Sequence, residues 1–209
     1  MTPPSTSDHI QSIKPRKLLA DPAGPREEKL AAIAGSVRIC TRCRLCQSRA
    51  HAVPGEGNPR TPIFFLGEAP GRYEDAAGRP FQFLSGREFD ALLALAGMRR
   101  ENIFVTGIVK CRPPDNRRPR RDEMDTCRRA HFDRQLAAIQ PRLVVLLGAV
   151  ATEEMLGQAS LKGLLGRLVE RDGRRYFVTY HPAASMRFPA AKRAARRHFA
   201  RLPEILGSL

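Results

Sequence analysis

The sequence predicts an α/β fold with a central four-stranded, largely parallel sheet and helices on both faces, and three observations carry that reading. Short apolar runs at residues 63–66, 103–109, 143–147 and 176–180 have the length of buried strands. Helical spacing fills the segments between them, and strands alternating with helices build parallel sheets. Two segments rich in chemistry directly follow apolar runs, where open α/β sheets place their sites.

In chain order, residues 1–25 are rich in Pro and Ser with few large apolar side chains, and are expected to form a flexible arm. Residues 26–209 read as a single domain, since 209 residues with 42% hydrophobic composition can build one sizeable core. Residues 26–37 read as a helix that delivers Cys40. Phe89, Leu92, Leu93 and Ala96 share one face of a helix ended by Gly97, while Met124, Cys127, Leu136 and Ile139 fit a longer helix ending before Pro141. A last basic helix, about residues 190–202, carries Lys192, Arg193, Arg196 and Arg197, which serve either a solvated face or phosphate contact.

With 36 Lys+Arg against 21 Asp+Glu, the net charge of +15 points to a polyanionic partner, the alternative being a solvated basic surface. No apolar stretch approaches the roughly 18 residues of a spanning helix, and the N-terminus has no secretory pattern. A cytoplasmic monomer is the expectation.

The first chemistry-bearing segment is Gly67-Glu68-Ala69-Pro70-Gly71, followed by Glu74-Asp75 and Gly78-Arg79-Pro80-Phe81. Gly allows close approach of a ligand and Pro stiffens the loop, so its amides can face a bound group. The second is His181-Pro182-Ala183-Ala184-Ser185-Met186-Arg187. The five cysteines are a separate signal: Cys40, Cys43 and Cys46 at two-residue intervals, with Cys111 and Cys127 downstream. In a reducing compartment such thiols point to a shared metal, either tetrahedral zinc or an iron–sulphur cluster of the kind bacterial ferredoxins hold with similar spacing, the alternative being free buried cysteines with no metal.

From about Cys40 to Arg187 the chain resembles the iron–sulphur uracil-DNA glycosylases, family 4 of that superfamily. The likeness lies in Cys-Thr-Arg-Cys-Arg-Leu at residues 40–45, Gly55-Glu56-Gly57-Asn58-Pro59, the loop at 67–71, Lys110-Cys111-Arg112-Pro113-Pro114 with Asn116-Arg117, and His-Pro-Ala at 181–183. The resemblance implies a doubly wound three-layer α/β/α sandwich and a structural [4Fe-4S] cluster held by Cys40, Cys43, Cys111 and Cys127, with Cys46 a spare thiol or replacement ligand. It also implies monofunctional hydrolysis of the N-glycosidic bond of deoxyuridine in DNA, in base excision repair.

Roles follow residue by residue from the likeness. Phe81 stacks on the extruded uracil, or is a core ring. His181 steadies the departing base. Glu68 and Glu74 orient water or stabilise charge on the sugar, the alternatives being that Glu68 only hydrogen-bonds the loop and that Asp75 or Glu74 caps a turn. Gly67, Ala69, Pro70 and Gly71 offer backbone to the base. Residues 183–187 form a minor-groove loop, with Met186 as wedge or core residue and Arg187 on phosphate. Arg117 and Arg118 belong to a clamped basic segment suited to the DNA backbone.

Two departures stand out. Where the family has an Asn that reads uracil, this chain has Gly107, and an absent amide weakens discrimination. After Phe81 the family continues Val-Gly, whereas here Gln82 and Phe83 follow. Gln82 is expected either to read the base from the opposite wall, with Phe83 narrowing the pocket, or to be exposed. The alternatives to uracil excision are a non-catalytic DNA-damage binding protein and a glycosylase for hypoxanthine or xanthine.

Overall fold

The computed structural model describes residues 24–158 and 160–209, so the arm expected at residues 1–25 lies outside the described residues except for its last two. The chain runs through α1 (Arg26–Arg38), the two-residue β1 (Glu56–Gly57), β2 (Ile63–Gly67), α2 (Arg72–Ala77) and α3 (Phe83–Leu95). It continues with β3 (Phe104–Gly107), α4 (Arg121–Cys127), α5 (Asp133–Ile139), β4 (Leu143–Leu147) and α6 (Ala149–Leu156). Last come β5 (Leu168–Arg171), β6 (Arg174–Thr179), α7 (Pro182–Arg187), α8 (Pro189–Ala200) and α9 (Leu202–Gly207).

Among the described residues the sheet has six strands in the order β1-β3-β2-β4-β6-β5, which corrects the expected four. The four expected strands are its parallel centre. The two that were missed lie antiparallel on the edges. Both lack an apolar run: β1 is too short to have one, and β5 alternates half-buried with exposed residues. Strand β3 is also shorter than expected, because Ile108 and Val109 leave the ladder and donate their N–H groups to the carbonyls of Gly67 and Glu68.

Alternation along β2 explains the three layers. Phe64 and Leu66 pack beneath α1, α4, α5 and α6, while Ile63 and Phe65 pack beneath α3, α8 and α9. A strand buried on both faces reads as an unbroken apolar run. Each such phenyl ring contributes about 1.5–3 kcal/mol by leaving water. The single helix expected over Met124 to Ile139 is two helices joined by a π-helical turn at residues 128–132, which buries Ala130, His131 and Phe132. Because the chain passes from β2 to β3 on one side and then to β4 on the other, the order reverses at β2. In this class of sheet that point opens a crevice at the strands' carboxyl ends.

Candidate active site

At that crevice β2 breaks into the loop at residues 68–71, pinned from below by the bonds from Ile108 and Val109. Glu74 then joins two helices. Its Oε2 accepts from the Gly71 N–H at 3.1 Å, and its Oε1 accepts from the Gln82 N–H at 2.8 Å and the Ser85 hydroxyl at 3.3 Å. The start of α2 is thereby tied to the start of α3.

Between those helices Phe81 is buried at φ 50°, a left-handed conformation that costs a non-glycine residue on the order of 1 kcal/mol. Arg100 holds the turn: its Nη1 donates to the Pro80 carbonyl at 3.0 Å and its Nη2 to the Phe81 carbonyl at 2.7 Å. Glu56 at 3.0 Å and Asp90 at 2.7 Å balance its charge. Gly86 lets α3 approach this turn, since a Cβ there would lie 2.2 Å from the Phe81 carbonyl oxygen.

His181 caps α7 just past the end of β6. Its Nδ1 accepts from the Ala183 N–H at 3.1 Å, so in the neutral ring the proton sits on Nε2. Burial pushes its pKa down to about 4, which keeps the ring neutral near pH 7. The Phe81 ring stacks on His181 at 5.4 Å and on Phe89 at 4.5 Å. A Cβ on Gly67 would lie 3.6 Å from the Phe81 ring and 3.7 Å from His181 Nε2, so glycine keeps the space between them open.

These groups surround a cavity of about 180 Å³, lined also by Glu68, Ala69, Pro70, Gly71, Glu74 and Gly107. Val53, Ser85 and Thr106 line it too; sequence reasoning missed them, although Thr106 adjoins Gly107 and Ser85 lies in the segment that departs from Val-Gly. Burial raises the pKa of Glu68, and Arg118 opposes that shift. The Glu68 carboxylate has no hydrogen-bond partner among the described residues, in contrast to Glu74.

Other sequence candidates fall elsewhere. The Gln82 amide turns back to the carbonyls of Pro80 and Phe81, at 3.0 and 3.4 Å, and is not brought into the cavity. Phe83 does not narrow the cavity but stands half-exposed outside it. Arg117 is bound bidentately by the buried Glu123, and Arg118 pairs with Glu153. Each guanidinium thus faces a protein carboxylate, and that of Arg118 is half-exposed. Residues 183–187 are part of α7 rather than a loop, with Met186 and Arg187 exposed on it.

Gly107 is more than an asparagine cut short. A Cβ there would lie 2.9 Å from the Val109 carbonyl oxygen and 3.3 Å from that of Glu68, because the backbone has closed over the position. Gly107→Asn is therefore expected to destabilise the fold by about 1–3 kcal/mol in a urea titration rather than restore an amide at no cost. Behind this floor the fully buried Lys110 donates to the Gly107 carbonyl at 2.9 Å, to Thr106 Oγ1 at 2.6 Å and to Gln135 Oε1 at 2.6 Å.

On the far side of Lys110, all five cysteines line one recess with Arg49 and His131. Arg49 Nη1 donates to Cys111 Sγ at 3.0 Å and the Lys110 N–H to Cys127 Sγ at 3.3 Å, the donors a bound thiolate would accept from. Burial pushes the Cys43 and Cys111 thiols up, and Cys127 up to about 12. No three His, Cys, Asp or Glu side chains among the described residues are grouped to hold a single metal ion. No helix among them is long and apolar enough to cross a membrane.

Residues 54–202 match the model of the uracil DNA glycosylase superfamily. The chain is 36% identical over 193 residues to the type-4 uracil-DNA glycosylase of Saccharolobus solfataricus, covering 87% of this chain and 88% of that protein. It is 36% identical over 189 residues to the type-4 uracil-DNA glycosylase of Archaeoglobus fulgidus, with 86% and 94% covered. The type-4 uracil-DNA glycosylase of Thermotoga maritima is 37% identical over 166 residues, with 78% and 85% covered.

Proposed function

We propose, since this chain belongs to the uracil DNA glycosylase superfamily, that the cavity between Gly67, Phe81 and His181 receives a uracil turned out of DNA. The protein is a DNA-repair hydrolase that cuts the N-glycosidic bond of deoxyuridine. The observation that carries the assignment of roles is the neutral His181, locked as a donor through Nε2 beside Gly67.

Taking the base from the stack costs a few kcal/mol, which the Phe81 face repays by stacking on it. As the bond between C1′ of the sugar and N1 of uracil breaks, both electrons leave with the base, and charge gathers on its O2. The Nε2–H of His181 donates to that oxygen; a preorganised donor in a dry site stabilises developing charge most. A water then bonds to C1′ and passes its proton to Glu68, whose unpartnered carboxylate is free to hold it. Glu74 has both oxygens engaged and keeps the wall in place. Met186, exposed just past His181, fills the vacated stack, and Arg187 with the exposed Arg193, Arg196 and Arg197 of α8 meets phosphate.

The recess fits a multi-iron cluster better than one ion, since five thiols share it without three converging on a point. Cys40, Cys43, Cys111 and Cys127 would hold a [4Fe-4S] cluster, with Cys46 at the same wall. Such a group supplies iron–thiolate cross-links between the end of α1, the segment after β3 and α4. The setting we infer is a monomer in the cytoplasm, where thiols stay reduced.

The test is release of base from oligonucleotides carrying one deoxyuridine, with hypoxanthine and cytosine as controls. Glu68→Gln is expected to slow uracil release about 100- to 10,000-fold in single turnover with DNA affinity within twofold. Equal rates for the two proteins would remove Glu68 from the mechanism. DNA binding without release of any base would move the chain to the damage-binding class.

A further inference from the structure

The excision step leaves Tyr73 and Phe83 without a task, yet the fold strains to present them. Their rings stack on each other at 4.4 Å and 28°, and each stays half open to solvent, at 50% and 51% exposure. Phe83 sits at φ 55°, a conformation suited to glycine. Rings this exposed gain nothing from the core.

Their location gives them a use. Tyr73 precedes Glu74 on α2 and Phe83 follows Gln82 at the start of α3, so the Glu74 carboxylate that joins the two helices also sets the two rings side by side. Glu74 and Ser85 line the uracil cavity, and the stacked pair stands outside it beside these residues in the chain. Leu84, 47% exposed, extends the apolar surface, and the net charge of +15 draws a nucleic-acid strand to it.

We propose that the Tyr73–Phe83 pair is a stacking platform for the nucleobase next to uracil on the same, unpaired strand, and that it biases the protein toward uracil in single-stranded DNA. The proposal rests on the uracil-excision reading. Every base offers a π face, so such a platform tolerates any sequence. Rings already stacked on each other lose little freedom when a base arrives. In a duplex the neighbouring base keeps its own stack and gains little from leaving it. In a single strand that face is free.

Phe83→Gly is the informative variant, since it removes the ring and suits the backbone. Uracil release would be measured on a single strand, on a duplex, and on single strands with a stable abasic residue on either side of the uracil. The expected result is a KM on the single strand raised roughly 5- to 100-fold, with kcat within twofold and duplex kinetics unchanged. An abasic neighbour on one side should impose a similar penalty on the wild type and none on Phe83→Gly. Tyr73→Leu should give a smaller change in the same direction, and thermal melting should show Phe83→Gly no less stable. Equal losses on single strands and duplexes, or an abasic penalty that persists in Phe83→Gly, would overturn the platform. If the wild type releases no uracil from any substrate, the excision reading fails. Anisotropy titrations of the same single strands would still test the platform, because Phe83→Gly must then bind the intact strand more weakly and the abasic-flanked strand equally.

Discussion

His181→Ala is expected to slow uracil release by about a hundred- to a thousandfold, with DNA affinity little changed and stability lowered by about 0.5–2 kcal/mol for the lost cap of α7. The ring reaches the cavity through one donor atom, and its other nitrogen is committed to the Ala183 N–H. Alanine therefore removes a transition-state contact without opening the core. The acid side of the rate profile follows from the same burial. An ordinary histidine charges near pH 6.5, whereas this one stays neutral down to about 4. The contribution of His181 to the rate should hold as the pH falls through 6.5 and fail only near 4. Stability shifts the other way round: between about 6.5 and 4 the unfolded chain binds a proton at this residue and the folded one does not, so the fold loses stability across that window as the pH falls. Single-turnover rates of wild type and His181→Ala, with urea midpoints, over pH 4–8 check both, because protonation of Glu68 slows the two proteins alike and cancels in their ratio; a ratio that falls with a midpoint near 6.5 would mean that the ring is not held as described.

Gly86→Ala should cost both stability and activity. Its methyl group would sit 2.2 Å from the Phe81 carbonyl oxygen, 2.8 Å from the carbonyl carbon and 3.3 Å from the Arg100 Nη2 that donates to that oxygen. The turn must move, at about 1–3 kcal/mol for the overpacking, and Phe81 must move with it. Displacing a positioning group by about 1 Å can cost a hundredfold in rate. Gly35→Ala in α1 is the control, because its methyl group meets nothing within 4 Å and helices favour alanine. Equal stability and excision in Gly86→Ala and wild type would show that the turn yields freely.

What the sequence showed depended on how far each signal travels along the chain. Strand β2 and strand β4 were legible because burial on both faces leaves an unbroken apolar run. Strand β5 was not, since Leu168 and Glu170 look outward and blur the pattern. The loop at residues 67–71, Phe81 and His181 could be picked out as short motifs, and the fold brings them together. Arg100 could not, because its role exists only when Glu56, Asp90 and two carbonyls converge on it from separate elements. Gln82 shows the limit of reasoning from residue type. An amide there has the right chemistry, but positive φ at both Phe81 and Phe83 bends the backbone so that the side chain meets its own turn.

The parallel centre of the sheet also orders events in time. Gly67 lies on an early strand and His181 just after the last parallel one, and they face each other only when β6 has paired with β4, itself paired with β2. Closing so long a stretch of chain comes late in folding. During synthesis the loop at residues 67–71 leaves the ribosome well before its partner does. A half-translated chain thus has one wall of the uracil cavity and nothing to press a base against. Docking of β6 on β4 brings up the wall that carries His181 and completes the cavity.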